Sequence, residues 1–162
     1  MSDLTIRFAR DEELDTVASL IVDAYAEYAG AMSPDAWSMY AQDIANVYGR
    51  LTDGRLVVAE LAGRLVGSVT MFGHWRGAQP GTLGVRLLAV APDARGSGVG
   101  RALMEWCVER AREEGNQRVV ITSTPEMAAL RELSESMGFT RAPELDHEPA
   151  PGVRLEGYAL AL

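Results

Sequence analysis

The stretch from Val85 to Gly115, VRLLAVAPDARGSGVGRALMEWCVERAREEG, decides the fold, because it reads as an apolar strand, a glycine loop and a helix in one continuous run. In the loop Arg95-Gly96-Ser97-Gly98-Val99-Gly100, three glycines let the backbone turn tightly and approach a ligand without side-chain interference. The helix that follows aims its unpaired N–H groups and the positive end of its dipole at the same point. This order suits a phosphate. It does not suit every phosphate ligand. The dinucleotide fingerprint G-x-G-x-x-G fails, since Arg101 stands where the third glycine belongs and no acid closes the next strand, Val119-Val120-Ile121-Thr122. The nucleotide-triphosphate loop needs Gly-Lys-Ser/Thr at its end, a triplet absent from the chain. What is left is R-x-x-G-x-G, Arg95 to Gly100, directly after an apolar strand and Pro92.

Toward the N-terminus, the spacing predicts a strand over Leu4 to Phe8 and a helix from Asp11 to about Tyr28, with Leu14, Val17, Ala18, Ile21 and Tyr25 on one face. A second helix is expected from Ser33, whose hydroxyl caps it and which Pro34 follows at the first position, running toward Val47. Leu56 to Leu61 and Leu65 to Phe72 read as a hairpin about Ala62-Gly63-Arg64, and Gly73 to Gly81 as a loop. Leu83 to Val90 is apolar enough for a strand covered on both faces. The helix after the glycine loop carries Val99, Ala102, Leu103, Trp106, Cys107 and Ala111 as a wide apolar stripe, and Gly115 stops it. Val119 to Thr122 should lie parallel to Leu83–Val90 through a right-handed crossover. Pro125 to Met137 reads as a helix ending at Gly138-Phe139, Ala142 to Gly152 as a Pro-rich loop, and Val153 to Leu162 as a last strand. No repeat or linker interrupts the series, so one domain over residues 1–162 is expected.

Composition bounds the function. The chain has 162 residues, is 48% hydrophobic and carries a net charge of −8 with a pI near 4.8. Such acidity argues against nucleic acid or an anionic membrane as main partner and permits a cationic substrate. No signal peptide and no membrane-length apolar run are present, so a cytoplasmic location is expected. The single cysteine, Cys107, excludes an internal disulfide and fits a reducing compartment.

The R-x-x-G-x-G loop after its strand, with MAALRELSESMGF from Met127 to Phe139, resembles the acyl-CoA site of the GNAT superfamily of N-acetyltransferases. The resemblance covers most of the chain, with its specific motifs between Leu87 and Phe139. It implies an α/β fold whose mixed, mostly antiparallel central sheet is splayed at its middle and flanked by helices. It implies acetyl-CoA as acyl donor, with Leu88, Ala89 and Val90 presenting backbone groups to the pantetheine arm and Val90 N–H meeting the thioester carbonyl. The amides of Arg95, Gly96, Ser97, Gly98, Val99, Gly100 and Arg101 would then hold the pyrophosphate. The implied reaction is direct attack by an amine of a small molecule or peptide, with no nucleic acid, membrane or metal involved; a homodimer is left open.

Two departures from the family pattern bear on the chemistry. The tyrosine that often reprotonates the departing thiolate falls at Ser134, and a glutamate that often takes the amine's proton falls near Gly84. A serine is a poor acid at neutral pH, although its hydroxyl donates a hydrogen bond or holds a water. His74, in the loop before the central strand, has a suitable ordinary pKa and is the candidate base. His147, with Asp146 and Glu148, reads as a solvated charge cluster, and Cys107 as core. Two distant histidines and one buried cysteine make no metal-ligand spacing. Tyr25, Tyr28, Trp37 and Tyr40 either line an acceptor pocket or fill core. Two rival readings stay open: a non-catalytic acyl-CoA-binding or sensing module, and a different acyl donor or an oxygen acceptor.

Overall fold

A two-residue hairpin fixes the register of the first half of the sheet. In the computed structural model, which describes residues 3–73 and 80–162, Ala62 and Gly63 both take left-handed dihedrals (φ 51° and 80°), as a tight hairpin turn requires. They join β2 (Gly54–Leu61) to β3 (Arg64–Phe72), whose near-continuous Val and Leu content places both strands in the interior. Eight strands form the sheet, in the order β1-β2-β3-β4-β5-β8-β6 with β7 on β8. The remaining strands are β1 (Leu4–Phe8), β4 (Thr82–Val90), β5 (Arg118–Ser123), β6 (Thr140–Arg141), β7 (His147–Ala150) and β8 (Val153–Ala161). All neighbours are antiparallel except β4 and β5.

That parallel pair is short. It holds only from Thr82↔Arg118 to Val85↔Ile121, whereas β4 follows β3 as far as Gly67↔Val90. Beyond Val85, β4 and β5 part, which is the splayed sheet expected. A bulge lies at the point of parting. Ser68 pairs with Ala89 but Thr70 pairs with Arg86, so Leu87 and Leu88 together oppose one residue, and Leu87 takes φ 57°. A bulge bends its strand and raises the local twist, which turns the end of β4 away from β5.

Helices cover both faces. α4 (Val99–Glu113) lays Val99, Leu103, Met104, Cys107, Val108 and Ala111 on Val57, Val69, Val85 and Ile121. On the other face α1 (Leu14–Tyr25), α2 (Pro34–Ala45) and α3 (Val47–Arg50) bury Val17, Ile21, Tyr25, Tyr40 and Ile44 against Val58, Leu87 and Ala89. α5 (Ala128–Ser136) follows β5 at the splayed end. Ser33 caps α2 as expected, its Oγ accepting from Ala36 N–H at 3.1 Å.

Four expectations are corrected. The helix expected over residues 11–28 is α1 flanked by 3-10 turns at Asp11–Glu13 and Ala26–Ala31; the second tightens toward Gly30. The second helix stops at Ala45, because Asn46 leaves helical dihedrals and its side chain accepts from Gly49 N–H at 3.0 Å to start α3. The Pro-rich loop contains β7, which pairs at His147↔Leu155 and Ala150↔Val153 and passes donor-less Pro149 between them. Asp146 is therefore no solvated charge. It accepts from Arg141 at 2.7 Å through both oxygens, from Arg154 at 3.0 Å and from Gly157 N–H at 2.9 Å, which holds its carboxyl far below the ordinary range.

Candidate functional site

Gly98 starts α4 in the left-handed region, at φ 85°, and turns the chain so that the first helical bond is Ala102 N–H to Gly98 O at 3.0 Å. The amides of Val99, Gly100 and Arg101 precede that bond and have no intrahelical acceptor. They face the gap left between β4 and β5. A cleft of about 410 Å³ occupies this gap, walled by Leu88, Ala89 and Val90 on β4, by Arg95, Gly96 and residues 98–101 at the helix start, and by Leu130 and Leu133 on α5. Tyr25, Glu27 and Tyr28 close it from the α1 side. Residues of β4, of the glycine loop and of the start of α4 thus line one cleft.

The walls carry usable groups. Ala91 N–H donates to Val66 O at 2.8 Å, so in the antiparallel alternation the pair before it, Gly67 with Val90, exchanges no hydrogen bonds. Val90 N–H therefore points away from β3, toward the side that β5 has left. Tyr25 Oη donates to Leu88 O at 2.9 Å; burial, then the rings of Tyr40 and Tyr28, push its phenol well above the ordinary value, so it stays protonated. Arg95 donates to Ala24 O at 2.8 Å and pairs with Glu27, and Arg101 donates to Ser136 Oγ at 2.6 Å. Ser97 Oγ donates to Ala94 O. Gly100 matters for space: a Cβ there would touch Val90, Leu133 and Leu88 at 3.6–3.8 Å, in the cleft itself.

Of the residues singled out for acid–base work, Ser134 is buried and its Oγ donates to Leu130 O at 2.8 Å. Its single proton is committed inside α5. His74 lies outside the described residues. Cys107 is buried in the α4 core, where desolvation pushes its thiol up to about 12, too high for a nucleophile. No cluster of metal-binding side chains occurs among the described residues. Tyr25 and Tyr28 line the cleft; Tyr40 and Trp37 do not, and Tyr40 packs edge-on against Tyr25 at 6.3 Å. Sequence reading missed Glu27, and also Leu130 and Leu133, although the i, i+3 spacing of the two leucines signals a shared face.

Comparison with known proteins agrees with this geometry. The profile of the acetyltransferase (GNAT) family matches residues 14–139. An L-2,4-diaminobutyric acid acetyltransferase of Nocardia farcinica is 33% identical over 96 residues, 59% of this chain and 49% of that protein. An N-acetylaspartate synthetase of Danio rerio is 31% identical over 68% of this chain and 38% of its own length. The chain thus spans about half or less of the length of these curated relatives. Among solved structures, the YncA protein of Salmonella typhimurium with its cofactor acetyl-CoA is 25% identical, covers 98% of this chain and 94% of its own, and superposes with a TM-score of 0.71. A PaiA N-acetyltransferase of Thermoplasma acidophilum in complex with coenzyme A shares the fold at 12% identity, with 99% coverage of both chains and a TM-score of 0.80. The family match spans most of the chain, and the chain belongs to the acetyltransferase (GNAT) family.

Proposed function

We propose that this family member moves an acetyl group from acetyl-CoA to the amine of a small-molecule or peptide acceptor by direct attack, as one domain over residues 1–162. The parting of β4 from β5 in front of the free amides of α4 carries the reading. An extended pantetheine arm needs a strand edge without a partner, and the pyrophosphate needs N–H groups on a helix start. Residues Leu88 to Val90 supply the first and residues 95–101 the second.

The amine nitrogen attacks the thioester carbon, the C–N bond forms, and negative charge gathers on the carbonyl oxygen, where Val90 N–H stabilises it. A preorganised donor of this kind is worth about 10²–10³ in rate. The C–S bond then breaks and coenzyme A leaves as thiolate. The amine's proton must go elsewhere, because an alkylamine is almost wholly protonated at neutral pH. Glu27 is the one carboxylate among the described residues lining the cleft, and it is engaged in an ion pair with Arg95 at the α1 side. We assign deprotonation to the solvent: the acceptor reacts through its neutral fraction. The departing thiolate has a pKa near that of a free thiol, about 8.5, so water reprotonates it at little cost. Ser134 can serve only by giving up its bond to Leu130 O.

The pH dependence of kcat/KM tests this assignment. Below the acceptor's pKa it should rise about tenfold per pH unit, in step with the neutral amine. A limb near pH 6.5 that vanishes in His74→Ala would instead make that histidine the base.

A further inference from the structure

On the α1–α2 side of the sheet, two arginines converge on one residue. Arg50, at the end of α3, donates Nη1 to Asp43 O at 2.7 Å and Nη2 to Ile44 O at 2.5 Å. Arg86, on β4 opposite Thr70, brings its Nη2 to 3.6 Å from Asp43 Oδ2, beyond hydrogen-bond reach. Arg86 Nη2 and Arg50 Nε are buried without a hydrogen-bond partner among the described residues, and so are Thr70 Oγ1 and Ser68 Oγ on the strand beside them. Thr70 stands opposite Leu56, and Ser68 opposite Val58, both members of the α1–α2 core; the two hydroxyls therefore share the dyad's side of the sheet.

Charge does not balance there. Two guanidinium groups face a single carboxylate, which pairs with Arg86 only at 3.6 Å and is itself 45% exposed, while the Arg86 side chain is only 19% exposed. Burial, and next the charge of Arg86, lower the Arg50 guanidinium to about 10. A buried excess cation with open donors is costly unless an anion joins it. Tyr25 links the dyad to the cleft wall: Arg86 lies two residues before Leu88, and Tyr25, which feels the charge of both arginines, donates to Leu88 O and lines the cleft.

We propose that Arg86 and Arg50 form a subsite for a carboxylate carried by the acceptor, so that the acceptors are amino acids. A guanidinium fork with free N–H groups matches the planar geometry of a carboxylate. Held there, the acid end sits beside β4 and the amine is directed along the strand toward Leu88–Val90. The amine half of the proposal rests on the acetyl-transfer reading; the carboxylate half rests on the dyad alone.

The test is a panel of α-amino acids, β-alanine and diamino acids, each offered with acetyl-CoA as the free acid and as its carboxamide. The amide lowers the pKa of the neighbouring amine and so favours the amide when no subsite exists. The wild type should prefer the acid of at least one pair by about 10- to 100-fold in kcat/KM, the strength of a charge-assisted contact. Arg86→Gln and Arg50→Gln should collapse that preference to within about threefold, chiefly through KM for the acid, and Arg86→Lys should recover part of it. Equal use of acid and amide by the wild type, or an unchanged preference in folded Arg86→Gln, overturns the subsite. If no amine is acetylated although coenzyme A binds, the acetyl-transfer reading fails, and calorimetry of the same pairs on the coenzyme A-loaded protein decides the subsite separately. Acid binding lost in Arg86→Gln supports it; no acid binding, or equal binding of acid and amide, overturns it.

Discussion

Replacing Gly100 with glutamate should leave the protein folded and destroy its grip on coenzyme A. Gly100 is the second residue of α4, and a Cβ there meets only ordinary contacts at 3.6–3.8 Å, from Val90, Leu133 and Leu88. The fold accepts it. A glycine inside a helix costs roughly 0.5–1 kcal/mol relative to alanine, and an acidic side chain in the first turn favours the dipole, so the melting temperature should hold or rise. The ligand has the opposite experience. A carboxylate about 4 Å from a phosphate, at an effective dielectric constant of about 20, repels it by about 4 kcal/mol. The cleft is open to water on one side, which screens part of this and leaves about 2–4 kcal/mol, or roughly 30- to 1000-fold in Kd. Gly100→Ala, which takes space without charge, should lose less. Gly98→Asp should lose affinity and also about 1 kcal/mol of stability, because φ 85° is strained for any residue with a Cβ. Calorimetric titration with coenzyme A, beside a thermal melt, reads both quantities. A folded Gly100→Glu protein that binds coenzyme A within about threefold of the wild type would refute the assignment of the pyrophosphate to the α4 amides.

Other expectations follow from the same contacts. Ser134→Ala should keep kcat within about threefold, since the lost hydrogen bond is local to α5; a fall of 10² or more would make the serine the proton donor. Tyr25→Phe leaves Leu88 O unmet and should cost about 1 kcal/mol in chemical denaturation, with a raised KM for acetyl-CoA. Asp146→Asn should cost about 1–2 kcal/mol in the same assay, the modest figure reflecting the exposure of Arg154. For acid stability the sign is fixed by carboxyls whose folded-state values are depressed: Asp146 in the network of Arg141, and Glu13, lowered to about 2 by its paired bonds from Arg7. Their contribution is complete above the ordinary carboxylate value of about 4 and is lost as pH falls toward 2, so the melting temperature should be level from pH 7 to about 5 and drop below 4.

One wall of the cleft, from β4 through the start of α4, was legible in the sequence because its parts are consecutive. Strand, loop and helix follow within residues 85–115, and glycine position and apolar spacing report local geometry directly. The bulge was not legible. Leu87 carries a left-handed dihedral that nothing in its side chain favours, and the bulge is visible only in its pairing with β3. Strand β7 was hidden for a similar reason, since Pro149 suggests a loop while the pairing partner lies across the turn at Val153 and Leu155. The Arg50–Arg86 dyad joins positions 36 residues apart, and Glu27 reaches Arg95 across the start of the cleft. One chain gives no signal for such encounters. Ser134 shows the converse: position alone suggested chemistry, but a helix interior gives a serine hydroxyl a carbonyl four residues back as partner.

Acetyl transfer itself is tested most directly by mixing the protein with acetyl-CoA and the amino-acid panel and following coenzyme A release together with product mass. An amine should gain one acetyl group in step with the coenzyme A released, the protein should stay unacetylated at every time point, and Gly100→Glu should lose the product. Coenzyme A that binds the cleft without any acetylated amine, or an acetyl group carried first on the protein, would contradict acetyl transfer by direct attack.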